Sequence, residues 1–118
     1  MADDIILAGI TTCDTVRKAQ RWLENHGIVY TFLDLRSDAF VRHTLGEWME
    51  QVDWSDLLNK RSTTWRNLDD DEREDLDEAR AMSLMMKHPT LIKRPILHYG
   101  DIIEIGYSPD RYEELLTN

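Results

Sequence analysis

The chain has 118 residues, of which 42% are hydrophobic and 31% charged, a balance that supports one real core and argues against general disorder. Its net charge is −9 and its pI is near 4.8, which disfavours nucleic acid and anionic membrane surfaces, because such partners are held largely by neutralising phosphate. No apolar stretch approaches the ~20 residues of a membrane span, and Met1-Ala2-Asp3-Asp4 lacks the basic start of a secretory signal. A single domain over residues 1–118, cytoplasmic and with no nucleic-acid or membrane partner, is the expectation.

Residues 4–10 are aliphatic and β-branched beyond Asp4, and read as a buried strand. From 15 to 26 the apolar residues Val16, Ala19 and Leu23 recur at helical spacing, with Trp22 broadening the stripe and Gly27 as the stop. Residues 28–35, rich in β-branched and aromatic side chains, predict a second strand. Strand, helix and strand within 36 residues make a βαβ unit with parallel strands.

The middle is helical. Leu45, Trp48, Met49 and Val52 share one face of a helix over 44–52, and 53–58 reads as a short helix capped by Asp53. A polar loop is expected over 59–67. The acidic run 69–75 reads as a solvated surface opening the next helix. That helix spans 79–87 and carries Met82, Leu84, Met85 and Met86 as gap-filling core. Pro89 ends it. A hairpin follows, turning at Tyr99-Gly100-Asp101, and Ser108-Pro109 opens a last helix with Ser as N-cap. The acidic run lacks the spaced ligands of a calcium loop. His26, His43, His88 and His98 have no metal-like spacing, so no metal site is expected.

Cys13 is the only cysteine. It stands where the first strand gives way to the first helix, beside N–H groups that carry partial positive charge. That position favours thiolate over thiol, and thiolate is the nucleophile. The backbone N–H groups of Thr15 and Val16 are the expected donors, with Thr12 and Asp14 flanking the thiol. Asp14 is awkward, since a carboxylate so close opposes thiolate formation unless it faces away as a helix cap. No resolving thiol exists, so a disulfide at Cys13 can be cleared only by an external thiol.

The order β-α-β, helices, β-β-α is a thioredoxin-type topology: an α/β fold with a central mixed sheet and a helical insertion. Three blocks make the resemblance specific: Cys13-Asp14-Thr15-Val16-Arg17-Lys18-Ala19, Leu58-Asn59-Lys60-Arg61-Ser62-Thr63-Thr64-Trp65-Arg66, and His88-Pro89-Thr90-Leu91-Ile92-Lys93-Arg94-Pro95-Ile96. Together they resemble the arsenate-reductase-like (ArsC/Spx) family, in its YffB-type branch, over essentially the whole chain. The resemblance implies that Cys13 is the catalytic nucleophile, that Arg94 is a site residue, and that Pro95 follows a cis bond and shapes the surface receiving an extended partner.

Two departures shape the expected activity. The family's arsenate reductases hold the oxyanion with three arginines, and the first and third fall here at Asn59 and near Gly106. Only Arg94 is retained, with Arg61 matching an arginine of the Spx and YffB branches. A highly charged oxyanion needs several fixed donors, so an efficient arsenate reductase is not expected. Spx regulators carry a Cys-Xaa-Xaa-Cys pair whose second position is Val16 here. The leading expectation is a glutathione-dependent thiol oxidoreductase with one nucleophilic cysteine, its other partner being a disulfide-bearing protein or small molecule. Glutathione, as co-substrate, would contact Thr12, Asp14, Thr15, Arg17, Asn59, Arg61, Lys93, Arg94 and Pro95, with Lys18 extending the basic rim. The alternative is an Spx-like, non-enzymatic regulator that binds RNA polymerase.

Overall fold

In the computed structural model, which describes residues 4–117, the uncharged first run forms strand β1 (Ile5–Gly9). It lies inside a four-stranded sheet of order β2-β1-β3-β4. Strand β2 (Thr31–Asp34) runs parallel to β1. Strand β3 (Ile96–Tyr99) runs antiparallel to β1 and pairs in a hairpin with β4 (Ile102–Ile105). Helix α1 (Asp14–Asn25) supplies the crossover that a parallel pair requires. The thioredoxin-type order expected from the sequence is therefore present, with both halves meeting at β1 and β3.

Strand periodicity divides the core in two. Leu7 and Leu97 point to one face and pack with Ala19 and Leu23 of α1 and Tyr112 of α7 (Pro109–Leu116). Their neighbours Ala8 and Ile96 point the other way, into a larger cluster with Trp48, Leu57, Met85 and Leu91. That cluster is closed by α2 (Arg42–Gln51), α3 (Trp54–Leu57) and α6 (Glu78–Lys87). A central strand buried on both faces has no place for charge, which explains its composition. Met85 is fully buried and Met82 and Met86 pack against the same cluster, as gap-filling core residues would.

The structure refines four expectations. Strand β2 starts at Thr31, not Ile28, because its pairing begins at Ile6↔Thr31 and β1 offers almost nothing earlier. Asp53 precedes α3 without a side-chain capping bond. The polar loop contains a helical turn, α4 (Thr63–Arg66), nucleated by Ser62 Oγ accepting the Trp65 N–H at 3.1 Å. The acidic run forms its own turn, α5 (Asp70–Arg73), in which Glu72 accepts the Asp69 N–H at 3.2 Å. It does not open α6: the chain breaks at Asp75, φ 53°, and α6 starts after Asp77, which accepts the Arg80 N–H at 2.8 Å.

One close approach fixes where α1 begins. A Cβ at Gly9 would lie 2.6 Å from Val16 Cγ2 and 2.9 Å from Cγ1. The end of β1 and the first turn of α1 thus touch through a position that tolerates no side chain. Gly9→Ala should destabilise the fold by about 1–3 kcal/mol, the range for overpacking a core. Gly46, inside α2, is the contrast: its Cβ would meet only Met82 Cε at 3.6 Å. Gly46→Ala should stabilise by about 0.5–1 kcal/mol through helix propensity. Urea denaturation of the two variants checks both signs, and a neutral Gly9→Ala would contradict the packing argument.

Candidate active site

Cys13 is the N-cap residue of α1, with extended backbone angles and no side-chain capping bond of its own. Its N–H donates to the Ile10 carbonyl at 3.0 Å and its carbonyl accepts from Arg17 at 3.1 Å, so both backbone groups are committed. An N-cap side chain points at the N–H groups of the second and third helical residues. Here those residues are Thr15 and Val16, and Val16 is locked against Gly9. A sulfur at this position takes the place of the usual capping oxygen.

The thiol is partly buried, and burial alone would raise its pKa. Four effects outweigh it: the Val16 N–H, a hydrogen bond from Arg94, the Thr15 N–H, and the charge of Arg94. The net result lies below the ordinary thiol value. Asp14 does not undo this. It is not the cap; it is the first helical residue, and Arg17 hydrogen-bonds its carboxylate and holds it below the usual carboxylate range. The Asp14–Arg17 pair is exposed and largely neutralises its own charge.

Arg94 reaches the thiol from the other half of the fold. The bond to Pro95 is cis, and the Pro95 carbonyl accepts the Gly106 N–H at 2.8 Å, tying the turn to the end of β4. Arg94 Nη1 donates to the Thr90 carbonyl at 3.1 Å. Its Nε is buried with no hydrogen-bond partner. Upstream, Leu58 and Ile92 form an isolated antiparallel bridge, flanked by Asn59 N–H to Leu91 carbonyl at 2.7 Å and Lys93 N–H to Leu57 carbonyl at 2.8 Å. This stitch brings the second and third sequence blocks side by side. Asn59 Oδ1 accepts the Arg61 N–H at 3.0 Å and shapes the turn between them.

The result is an open cavity of about 720 Å³, lined by Asn59, Lys60, Arg61, Lys93 and Arg94, with Gly106 opposite. Among the described residues, no acidic one lines it. Among the described residues, none of its four cations is in an ion pair. Asn59 and Gly106, the positions where the resemblance lacks arginines, lie on the same wall system as Arg94. The structure does not bring every expected residue to this cavity. Cys13, Asp14 and Pro95 do not line it, Thr12 is exposed in the turn before Cys13, Arg17 is engaged by Asp14, and Thr15 and Lys18 line a different cleft. Lys60 was not singled out from the sequence, although it lies between Asn59 and Arg61; its Nζ also sits 5.6 Å from the Trp65 ring. Among the described residues no group of His, Cys, Asp and Glu could hold a metal ion. No helix in the described chain is long and apolar enough to cross a membrane.

Comparison with known proteins gives these features a context. Residues 9–115 match the model of the ArsC family. An uncharacterized protein of Haemophilus influenzae is 42% identical over 109 residues, 92% of this chain and 96% of its own length. The solved structure of a YffB protein superposes with a TM-score of 0.90 at 40% identity, covering 96% of this chain and 99% of that one. The global transcriptional regulator Spx of Streptococcus mutans is 27% identical over 107 residues, covering 89% of this chain and 77% of its own.

The thiol's environment predicts its reactivity. Iodoacetamide should alkylate Cys13 in the folded protein at a lower pH than it alkylates a free cysteine, whose pKa is about 8.5. Arg94→Ala removes a donor and a positive charge, so its rate profile should move to higher pH and meet the wild type only when both are fully ionised. A rate that rises only above pH 8, or an unchanged profile in the variant, would contradict this geometry.

Proposed function

This chain belongs to the ArsC family, and from that premise we propose that it is a glutathione-dependent thiol–disulfide oxidoreductase working through Cys13 alone. One observation carries the reading. On a chain of net charge −9, four cations line one cavity with no acidic side chain among the described residues of its walls, and one of them, Arg94, lowers the pKa of the only thiol. Glutathione suits such a cleft: it carries two carboxylates and a sulfur, and hydrogen bonds to charged groups are the strong ones.

The chemistry follows from thiol–disulfide exchange. The Cys13 thiolate attacks the glutathione sulfur of a mixed disulfide R–S–S–G. One S–S bond breaks as another forms, and R–S⁻ leaves to take a proton from water. A second glutathione, as thiolate, attacks the glutathione sulfur of Cys13–S–S–G, releasing oxidised glutathione and restoring the Cys13 thiolate. In sum, R–S–S–G and one glutathione thiol become R–SH and oxidised glutathione, so one thiol is oxidised for each thiol released. In this reading Arg94, Arg61 and Lys93 hold the tripeptide's carboxylates. Asn59 shapes the cleft, Pro95 presents the backbone edge beside it, and Thr12 and Thr15 border the sulfur, while Arg17 keeps the Asp14 charge away from it.

Val16 supports this reading over a redox-switched regulator. The position that would carry a second cysteine in an Spx-type pair is here a fully buried valine packed against Gly9. An internal disulfide has no second thiol. Arsenate would meet Lys60, Arg61, Lys93 and Arg94 there, but no guanidinium at Asn59 or Gly106, where the family's arsenate reductases place two of their three arginines.

Incubation with oxidised glutathione should add one glutathione to the intact mass, and Cys13→Ser should abolish the adduct. Arg94→Ala should weaken glutathione binding by about 1.5–3 kcal/mol, the scale of a hydrogen bond to a charged group, with folding largely unchanged. Glutathione-dependent arsenate turnover should be slow or absent. Robust arsenate reduction, or no adduct, would overturn the proposal.

A further inference from the structure

A second cleft lies along α1. Its volume is about 690 Å³, and Thr15, Lys18, Arg21, Trp22 and Asn25 of α1 line it, with Tyr107 and Pro109 from the β4–α7 connection opposite. It shares no lining residue with the first cavity. It too contains no acidic side chain, and among the described residues neither Lys18 nor Arg21 is in an ion pair. Cys13 itself lines neither cleft, but each contributes a residue that lowers the thiol's pKa: Arg94 from the first and the Thr15 N–H from the second.

The shape of this cleft narrows what it can hold. Thr15, Lys18, Trp22 and Asn25 recur at i, i+3, i+7 and i+10, so the cleft is a stripe leading away from Cys13. At 1.5 Å rise per residue, Lys18 and Arg21 stand roughly 7 and 12 Å from Cys13 along the helix axis. An extended peptide advances roughly 3.3 Å per residue, so these cations match carboxylates about two to four residues from a half-cystine. The aromatic wall points the same way. His26 stacks on Trp22 at 3.8 Å with an interplanar angle of 20°, and Tyr112 meets Trp22 and Tyr107 edge-on. With one Trp22 face occupied, the wall offers apolar contact to side chains more readily than a platform for a nucleobase.

We propose that this second cleft binds an extended, acidic peptide segment of a glutathionylated protein, and so selects the substrate whose cysteine leaves when Cys13 takes the glutathione. The proposal rests on the exchange reading of Cys13. The two clefts then hold the two halves of one disulfide, with glutathione retained on the Arg94 side and the peptide thiolate released along α1.

Binding tests the cleft without relying on exchange. On a Cys13→Ser background, a peptide with an S-methylated cysteine and glutamates two and four residues away should bind saturably. A neutral peptide of the same length should bind at least tenfold more weakly. The exposed double substitution Lys18→Glu/Arg21→Glu should weaken the acidic peptide at least tenfold and leave the neutral one unchanged. On the Cys13 protein, the same double substitution should lower kcat/KM for the glutathionylated acidic peptide while turnover of hydroxyethyl disulfide stays as it was. Equal binding of the two peptides, an acidic peptide indifferent to the charge reversal, or tight binding of ADP lost on that reversal would overturn the proposal. Failure of the wild type to exchange even hydroxyethyl disulfide would instead sink the reading of Cys13, and the binding measurements would still decide the cleft.

Discussion

The site depends on the contact between Gly9 and Val16. With no side chain at the end of β1, the first turn of α1 can lie directly on the strand, and the N–H groups of Thr15 and Val16 come to rest beside the Cys13 sulfur. A helix N-terminus always has donors to spare; in most helices a serine or aspartate oxygen takes them. A cysteine in that place inherits the same donors, and its charged form is the one that uses them well.

The second constraint is a meeting of distant segments. Residues near 59 and near 93 are joined by a single bridge, Leu58↔Ile92, and by two short backbone bonds on either side of it. Through this stitch Asn59, Lys60 and Arg61 face Lys93 and Arg94 across a cleft that no carboxylate enters. On so acidic a chain the exclusion matters. Some cations elsewhere are paired, as Arg73 is with Asp70 and Arg111 with Glu104 and Glu114, whereas among the described residues the four in the cleft have no carboxylate partner.

Much of this was legible in the sequence, and the reasons are local. The uncharged run before Gly9, the i, i+3, i+7 spacing of Val16, Ala19 and Leu23, and the Ser108-Pro109 start each announce their element without help from the rest of the chain. Cys13 was legible because strand end and helix start fall on either side of it. Three features were not. The turn at Thr63–Arg66 is too short to show a period, and only Ser62 hinted at it. Lys60 carried no signal apart from its neighbours. The division of the basic rim into two clefts depends on which way α1 faces, since Lys18 and Arg94 both suit an anion and only the packing of Ala19 and Leu23 against Leu7 and Leu97 assigns them to different sides. Asp14 was legible as a difficulty, and its resolution by Arg17 is a side-chain pairing that spacing permits without requiring.

The account stands or falls on the thiol and the cationic cleft being one site. A crystal structure of the mixed disulfide between Cys13 and glutathione would test that most directly. The account predicts the tripeptide in the cavity beside Arg94, with its carboxylates on Arg94 and on Arg61 or Lys93, and the Asn59–Gly106 side filled without a bound oxyanion. A glutathione that runs along α1, or into solvent with those cations unengaged, would contradict it.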